Sequence, residues 1–249
     1  MRGLAVIKFF TGLEDPVTIS EISRGTGYDR AVVRRILGTL ETVGYVDRKG
    51  AGFVLNPTVL ELGYAYLSSD PLPSIAEARL RPLASKIQES SSFGVLQQER
   101  VVYLARVQIK RITGPILNVG TMMDPYLTAV GRMLLAGLSS AELDSYLAHV
   151  ELRPVTPRTV VDPGRLRAEV ELARDRGWCL VEDQVELGLL AAAMPVRSAS
   201  GATVGAINVT SHTSRTTAER FIEEILPELR TTVRLVEADL QHANYESAQ

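Results

Sequence analysis

The sequence predicts an α+β protein: an N-terminal winged helix-turn-helix, a linker helix, and a larger domain with one antiparallel sheet flanked by helices. Three observations carry this. Within residues 1–66, short helical segments punctuated by glycine precede a glycine-centred hairpin signal. The Pro-rich step Asp70-Pro71-Leu72-Pro73 then marks the best boundary in the chain. Beyond it, segments of strand alternation mix with segments of helical periodicity, as in a sheet with helices packed against it.

Residues 3–10 place Leu4, Ile7 and Phe10 at helical spacing, and Glu14-Asp15-Pro16 ends that segment. Thr18-x-x-Glu21 is a capping box, in which hydroxyl and carboxylate each satisfy an orphan backbone N–H. The helix it opens, residues 19–24, is expected to stop at Gly25, with Gly27 continuing the turn. Residues 30–43 form the next helix, closed by Gly44. Residues 45–48 and 53–55 alternate as strands around Lys49-Gly50-Ala51-Gly52. Asn56-Pro57 opens a linker helix over residues 58–67, and Val59, Leu60, Leu62, Tyr64 and Leu67 give it more apolar surface than a free linker should expose.

In the larger domain, Ser74-x-x-Glu77 reads as a second capping box, starting a helix to Gln88 with a kink at Pro82. Residues 93–97 and 101–109 read as a hairpin, and 116–119 as a further strand. Helices are expected at 129–136, 141–149 and 163–176, and strands at 178–182, 192–197 and 203–210. A long helix from Thr216 to His242 closes the fold.

Composition narrows the function. The 249 residues are 45% hydrophobic and 22% charged, ordinary for a globular chain, and the mean hydropathy is +0.07. No apolar run approaches the ~18 residues of a membrane span, and no signal-peptide pattern opens the chain, so a cytoplasmic protein is expected. A single cysteine, Cys179, excludes an intrachain disulfide and a cysteine-based zinc site. His149, His212 and His242 are not spaced as metal ligands, and no nucleophile elbow, phosphate loop or dinucleotide fingerprint is present. Cys179 lies in an apolar run and reads as a small buried side chain. Glu182, Asp183 and Glu186 have no acid–base partner and read as a turn. No cofactor is expected.

The helix at 30–43 carries the first functional signal. Val33, Ile36, Leu37, Leu40 and Val43 fall on one face, with Ala31, Arg34, Arg35, Gly38 and Thr42 opposite and Arg30 at the edge. An apolar back, small residues for close approach and forked donors for guanine edges and phosphates suit a helix that enters a major groove. Arg48 and Lys49 stand in the hairpin, where a wing touches the DNA backbone. Residues 1–66 hold eight basic residues against seven acidic ones, a net of +1. Binding to double-stranded operator DNA would therefore rest on local placement and on a homodimer or homotetramer.

A second signal is Thr128 before Ala129-Val130-Gly131, an N-cap followed by small residues. Free N–H groups and the partial positive charge of a helix start favour a carboxylate there. Asn208 and Thr210, at spacing two on one strand face, would supply hydrogen bonds from an otherwise apolar strand.

Arg2-Gly3-Leu4-Ala5-Val6-Ile7, residues 19–23 and Leu37-x-Thr39-Leu40-Glu41-x-x-Gly44-Tyr45-Val46 strongly resemble the IclR-type bacterial transcriptional regulators. Val119-Gly120-Thr121, Thr128-Ala129-Val130-Gly131-Arg132-x-Leu134-Leu135-Ala136, Gly177-x-x-x-Val181-Glu182-Asp183, Glu186-Leu187-Gly188-Leu189 and Ala193-Met194-Pro195-Val196-Arg197 look like that family's effector domain, which is GAF-like. Thr156-Pro157-Arg158-Thr159-Val160 and Val32-Val33-Arg34-Arg35 look most like the subgroup controlling protocatechuate, 4-hydroxybenzoate and β-ketoadipate degradation. The resemblance implies a ligand-responsive DNA-binding regulator with a small carboxylic-acid effector. It implies a DNA-binding domain at 1–57, a linker helix at 58–73 and an effector and oligomerisation domain at 74–249. By the same matching, Ala129 and Val130 hold the acid end, and Leu189, Ala191, Met194, Asn208 and Thr210 line the rest. Two alternatives remain at this level: a regulator of another small-carboxylate pathway, and an enzyme whose winged helix does not bind DNA.

Overall fold

The computed structural model describes residues 2–109 and 117–245, in two compact units that divide between Ser69 and Asp70.

The first unit runs α1 (Arg2–Phe9), α2 (Ile19–Thr26), α3 (Arg30–Thr42), β1 (Val46–Lys49), β2 (Gly52–Leu55), a 3-10 turn (Pro57–Val59) and α4 (Leu60–Ser69). Strands β1 and β2 pair antiparallel with Lys49 opposite Gly52, and Val17 bridges to Phe53, giving the wing a third rung. Val6, Phe10, Val17, Ile22, Val33, Leu37, Leu40, Val46 and Phe53 form its core. Three expectations need correction. Val6 is the buried residue of the first helix and Phe10 is buried just past its end, while Leu4 is 55% exposed. Helix α2 ends at Gly27, which adopts φ +72°, and not at Gly25. Gly25 lies inside the helix because the Phe9 ring packs there: a Cβ would stand 1.9 Å from Phe9 Cε2. Val43 is exposed, since α3 has ended at Thr42 and the chain turns through Gly44. Helix α4 buries none of its residues within this chain, with Leu60, Leu62, Tyr64 and Tyr66 all exposed.

The second unit opens with α5 (Leu72–Ile87), then β3 (Ser90–Gln97), β4 (Arg100–Val107), β5 (Met122–Met123), a 3-10 turn (Pro125–Leu127), α6 (Ala129–Ala136), α7 (Ser140–His149) and α8 (Pro163–Arg176). It continues with β6 (Cys179–Glu182), β7 (Leu189–Arg197), β8 (Thr203–His212), α9 (Ala218–Arg220), a π-helical turn (Phe221–Ile225) and α10 (Leu226–His242). The strands form one antiparallel sheet in the order β5-β4-β3-β8-β7-β6. Alternation sorts its side chains. Leu190, Ala192, Ile207 and Val209 join the core with α5 and α10, and Ala191, Ala193 and Ala206 join the core with α6 and α8.

Ser74 and Glu77 do not form a capping box. The helix begins two residues earlier, at Leu72, because the fixed φ of Pro71 and Pro73 suits a first turn, and Asp70 Oδ1 accepts from the Leu72 N–H at 2.9 Å. Pro82 is carried inside α5. Of the strand expected at 116–119, Ile116 lies outside the described residues and 117–119 are not strand; β5 follows at Met122–Met123. The closing helix is interrupted by the π-helical turn just before Pro227, which has no N–H to give a regular α-helical bond. Among the described residues, no helix is long and apolar enough to cross a membrane.

Candidate functional site

In the first unit, Arg30, Ala31, Arg34, Arg35 and Thr42 are exposed on α3, whose back is anchored by Val33, Leu37 and Leu40. Among the described residues, none of the three arginines has a carboxylate within ion-pair distance, so their forked donors face outward free. The Thr42 hydroxyl donates to the Gly38 carbonyl at 2.8 Å, which commits its proton to the helix and leaves its oxygen exposed as an acceptor. On the wing, Lys49 is exposed. Arg48 is too, but its guanidinium lies 4.9 Å above the Phe53 ring with Nε 3.7 Å from Glu41. It is therefore steadied against the hairpin, and its charge is partly offset before any DNA arrives.

In the second unit a cavity opens between α6 and the sheet. Thr128, Ala129, Leu189, Ala191, Asn208 and Thr210 line it together with Tyr103, Gln184 and apolar neighbours. Thr128 is the N-cap of α6, and its hydroxyl accepts from the Gly131 N–H at 2.9 Å. The N–H groups of Ala129 and Val130 have no intrahelical acceptor, as first-turn geometry requires. Gly131 makes this helix start possible: a Cβ there would meet the Pro125 carbonyl oxygen at 2.2 Å. Val130, expected beside Ala129, is fully buried with its side chain against Gly94, and it is not among the residues that line the cavity. Met194 does not reach the cavity. It pairs with Ile207 on the opposite sheet face and packs with the α5–α10 core, because strand alternation sends residues 189, 191 and 193 one way and 194 the other.

Asn208 is 4% exposed; its amide donates to the Thr210 hydroxyl at 3.0 Å, and its Oδ1 is buried with no hydrogen-bond partner among the described residues. A buried acceptor left open in a cavity wall is a docking point for a donor. Tyr103 sits nearby, hydrogen-bonded to Thr128, and burial pushes its phenol up to about 12, so it stays neutral.

Sequence reasoning missed Tyr103 and Gln184. Gln184 Oε1 accepts from Arg132 Nη2 at 3.0 Å and from the Val160 N–H at 2.8 Å, while its Nε2 donates to the Arg158 carbonyl at 2.7 Å. Arg132, 3% exposed, also donates to the Tyr126 carbonyl and pairs with Glu169. Gln184 thus ties α6 to the 155–160 segment, and Arg132 ties α6 to α8 through Glu169. A polar Gln after a run of acidic residues gave no periodic signal that could have revealed this. Tyr103 was hidden by a bulge: Phe93 pairs with Ala105 but Gly94 with Tyr103, so simple alternation misassigns the β4 faces.

Comparison with known families decides the identity. The family model described as IclR helix-turn-helix domain matches residues 1–50, and that described as Bacterial transcriptional regulator IclR C-terminal matches residues 64–238. This chain belongs to the IclR family of bacterial transcriptional regulators. It is 38% identical over 234 residues to the Pca regulon regulatory protein of Pseudomonas putida, covering 94% of this chain and 80% of that protein. It is 30% identical over 236 residues to the p-hydroxybenzoate hydroxylase transcriptional activator of Acinetobacter baylyi, covering 93% and 87%. A transcriptional regulator of Rhodococcus sp. RHA1, 41% identical, matches with a TM-score of 0.88 over 98% of each chain. An IclR homologue from Microbacterium hydrocarbonoxydans, solved with 4-hydroxybenzoate, is 22% identical with a TM-score of 0.83 over 97% and 98% of the two chains, which shows the common fold. As an IclR regulator the chain joins a helix-turn-helix DNA-binding domain to an effector domain, and the cavity under α6 lies within the second of these.

Proposed function

We propose that this regulator controls genes for aromatic-acid breakdown, reading its operator with α3 and sensing a small carboxylic acid in the cavity under α6. The observation that carries the reading is the pairing of two open polarities in one cavity: free N–H donors at the start of α6 and the orphaned acceptor of Asn208. An acid end at the Ala129 and Val130 N–H groups gains a helix start without a buried cation. A hydroxyl on the organic body can donate to Asn208, with Leu189 and Ala191 leaving room for a ring. The Pca and p-hydroxybenzoate relatives support this pathway assignment.

DNA contacts come from Arg30, Ala31, Arg34 and Arg35, with the wing's Arg48 and Lys49 on the backbone. In this reading residues 1–57 bind DNA, 58–73 link, and 74–249 bind effector and oligomerise. With a net of +1 over residues 1–66, one such domain is a weak binder alone, so the working form is a homodimer or homotetramer in the cytoplasm, and the exposed apolar face of α4 supports this.

Sequencing the genomic DNA that the full chain retains tests the proposal. Fragments upstream of aromatic-acid degradation genes, retained differently when 4-hydroxybenzoate or protocatechuate is added, are the expected result. Retention of fragments unrelated to such genes contradicts the pathway assignment.

A further inference from the structure

The first unit carries a groove apart from the arginines of α3. It lies between the end of α1 and α2 and is bounded by residues 14–17, with no lining residue from α3, β1 or β2. Its floor is apolar, made by half-buried Phe9, whose ring packs against Gly25, and by buried Val17. Leu13 stands at the rim, 49% exposed, where the chain turns through Gly12 at φ +77°. The walls are fixed by the backbone. Val17 and Phe53 exchange N–H···O bonds of 2.9 Å in both directions, and Thr18 caps α2. A groove with fixed walls needs little ordering when a partner docks.

Charge within this unit is segregated. Glu14, Asp15 and Glu21 are exposed along the groove against Arg24, a local net of −2 in a segment whose total is +1. Among the described residues the ion pair of this unit is Arg48–Glu41, so Glu14 and Asp15 are not neutralised. Hydrogen bonds from Thr18 hold the Glu21 carboxyl below its ordinary range, so it is charged at neutral pH. Carboxylates around an apolar floor repel nucleic acid and anionic membranes, and they favour a basic protein surface. DNA drawn to the α3 arginines is turned away from this groove, which stays open on the operator.

We propose that the groove docks a basic protein segment with an apolar anchor, and that the segment belongs to a second DNA-gripping protein at the same promoter. Its lysine or arginine side chains pair with Glu14 and Asp15, and its anchor lies on Phe9 and Val17 beside Leu13. A protein that holds the DNA polyanion must itself expose such cations. RNA polymerase does so next to any regulator bound at a promoter. The chain thus recruits that enzyme through α1 and α2 while α3 holds the operator.

Purified RNA polymerase holoenzyme is the probe, titrated onto a promoter duplex with and without the full chain on its operator. The expected result is that the parent tightens polymerase binding by about fivefold or more. Glu14→Lys combined with Asp15→Lys should remove that gain. Operator affinity and the melting temperature should not fall, since neither carboxylate has an ion-pair partner to lose. Leu13→Ser should remove part of the gain. Glu99→Lys combined with Glu223→Lys makes the same charge change at exposed carboxylates of the second unit and should keep the gain in full. No gain with the parent overturns the inference. So does a gain that survives in the Glu14 and Asp15 variant, or one lost equally in the Glu99 and Glu223 variant. A changed oligomeric state of the Glu14 and Asp15 variant in sedimentation would make a second copy the occupant, and overturns it too.

Discussion

Asn208 Nδ2 donates to Thr210 Oγ1 at 3.0 Å, and in doing so leaves Asn208 Oδ1 buried and unanswered in the cavity wall. An unmet buried acceptor costs roughly 1–3 kcal/mol, so the site is held ready for a donor at the expense of stability. Asn208→Leu should therefore raise the ligand-free melting temperature while weakening effector binding. Thr210→Ala should weaken binding by only about 0.5–1.5 kcal/mol, since one hydrogen bond is lost and the cavity keeps its shape. Melting curves with and without the acid read both effects; a less stable Asn208→Leu protein would mean that the acceptor is satisfied.

Filling the cavity should do more harm than removing a hydrogen bond. Ala191 lines it from the middle of β7, between strands on both sides. Ala191→Trp is expected to abolish the thermal stabilisation produced by the acid. DNA binding without ligand should survive. A variant that still binds acid as the parent does would put the site elsewhere.

Gly131 allows the α6 N-terminus to close over Pro125. A methyl group would lie 2.2 Å from the Pro125 carbonyl oxygen and 2.3 Å from its Cα, both backbone atoms that cannot swing away. Gly131→Ala should destabilise the second domain by about 1–3 kcal/mol and cost it acid binding. Chemical denaturation measures the first and calorimetry the second; neutral behaviour in both would contradict this placement of α6.

Cys179 donates to the Ala129 carbonyl at 3.2 Å, and burial pushes its thiol up to about 12, with Arg132 opposing. At pH 8 almost none of it is thiolate, so the native protein should resist alkylation by iodoacetamide, whereas the denatured protein should react rapidly. Fast labelling of the native chain would indicate an open or activated thiol.

The helix-turn-helix was legible because its signals are local: a capping box, glycines at turns and an amphipathic period each act within a few residues. The start of α6 was legible for the same reason, through Thr128 and the small residues after it. What failed depended on distant contacts. Gly25 has the form of a helix stop, and the Phe9 ring packed against it is what makes it an interior position; a motif does not say which sheet face Met194 takes. Tyr103 and Gln184 were invisible in the sequence. A bulge sets the facing of the first, and the partners of Gln184 are fixed by the tertiary fold.

The central claim is that acid in the second domain changes how α3 reads DNA. Fluorescence anisotropy with an operator duplex recovered from retained genomic DNA tests it most directly. Binding should shift by about 5–150-fold in Kd on adding a saturating carboxylic acid. Arg34→Ala combined with Arg35→Ala should abolish specific binding with an unchanged melting curve, each contact being worth ~1–3 kcal/mol. Operator affinity that ignores both a bound acid and the loss of the two arginines would contradict the account.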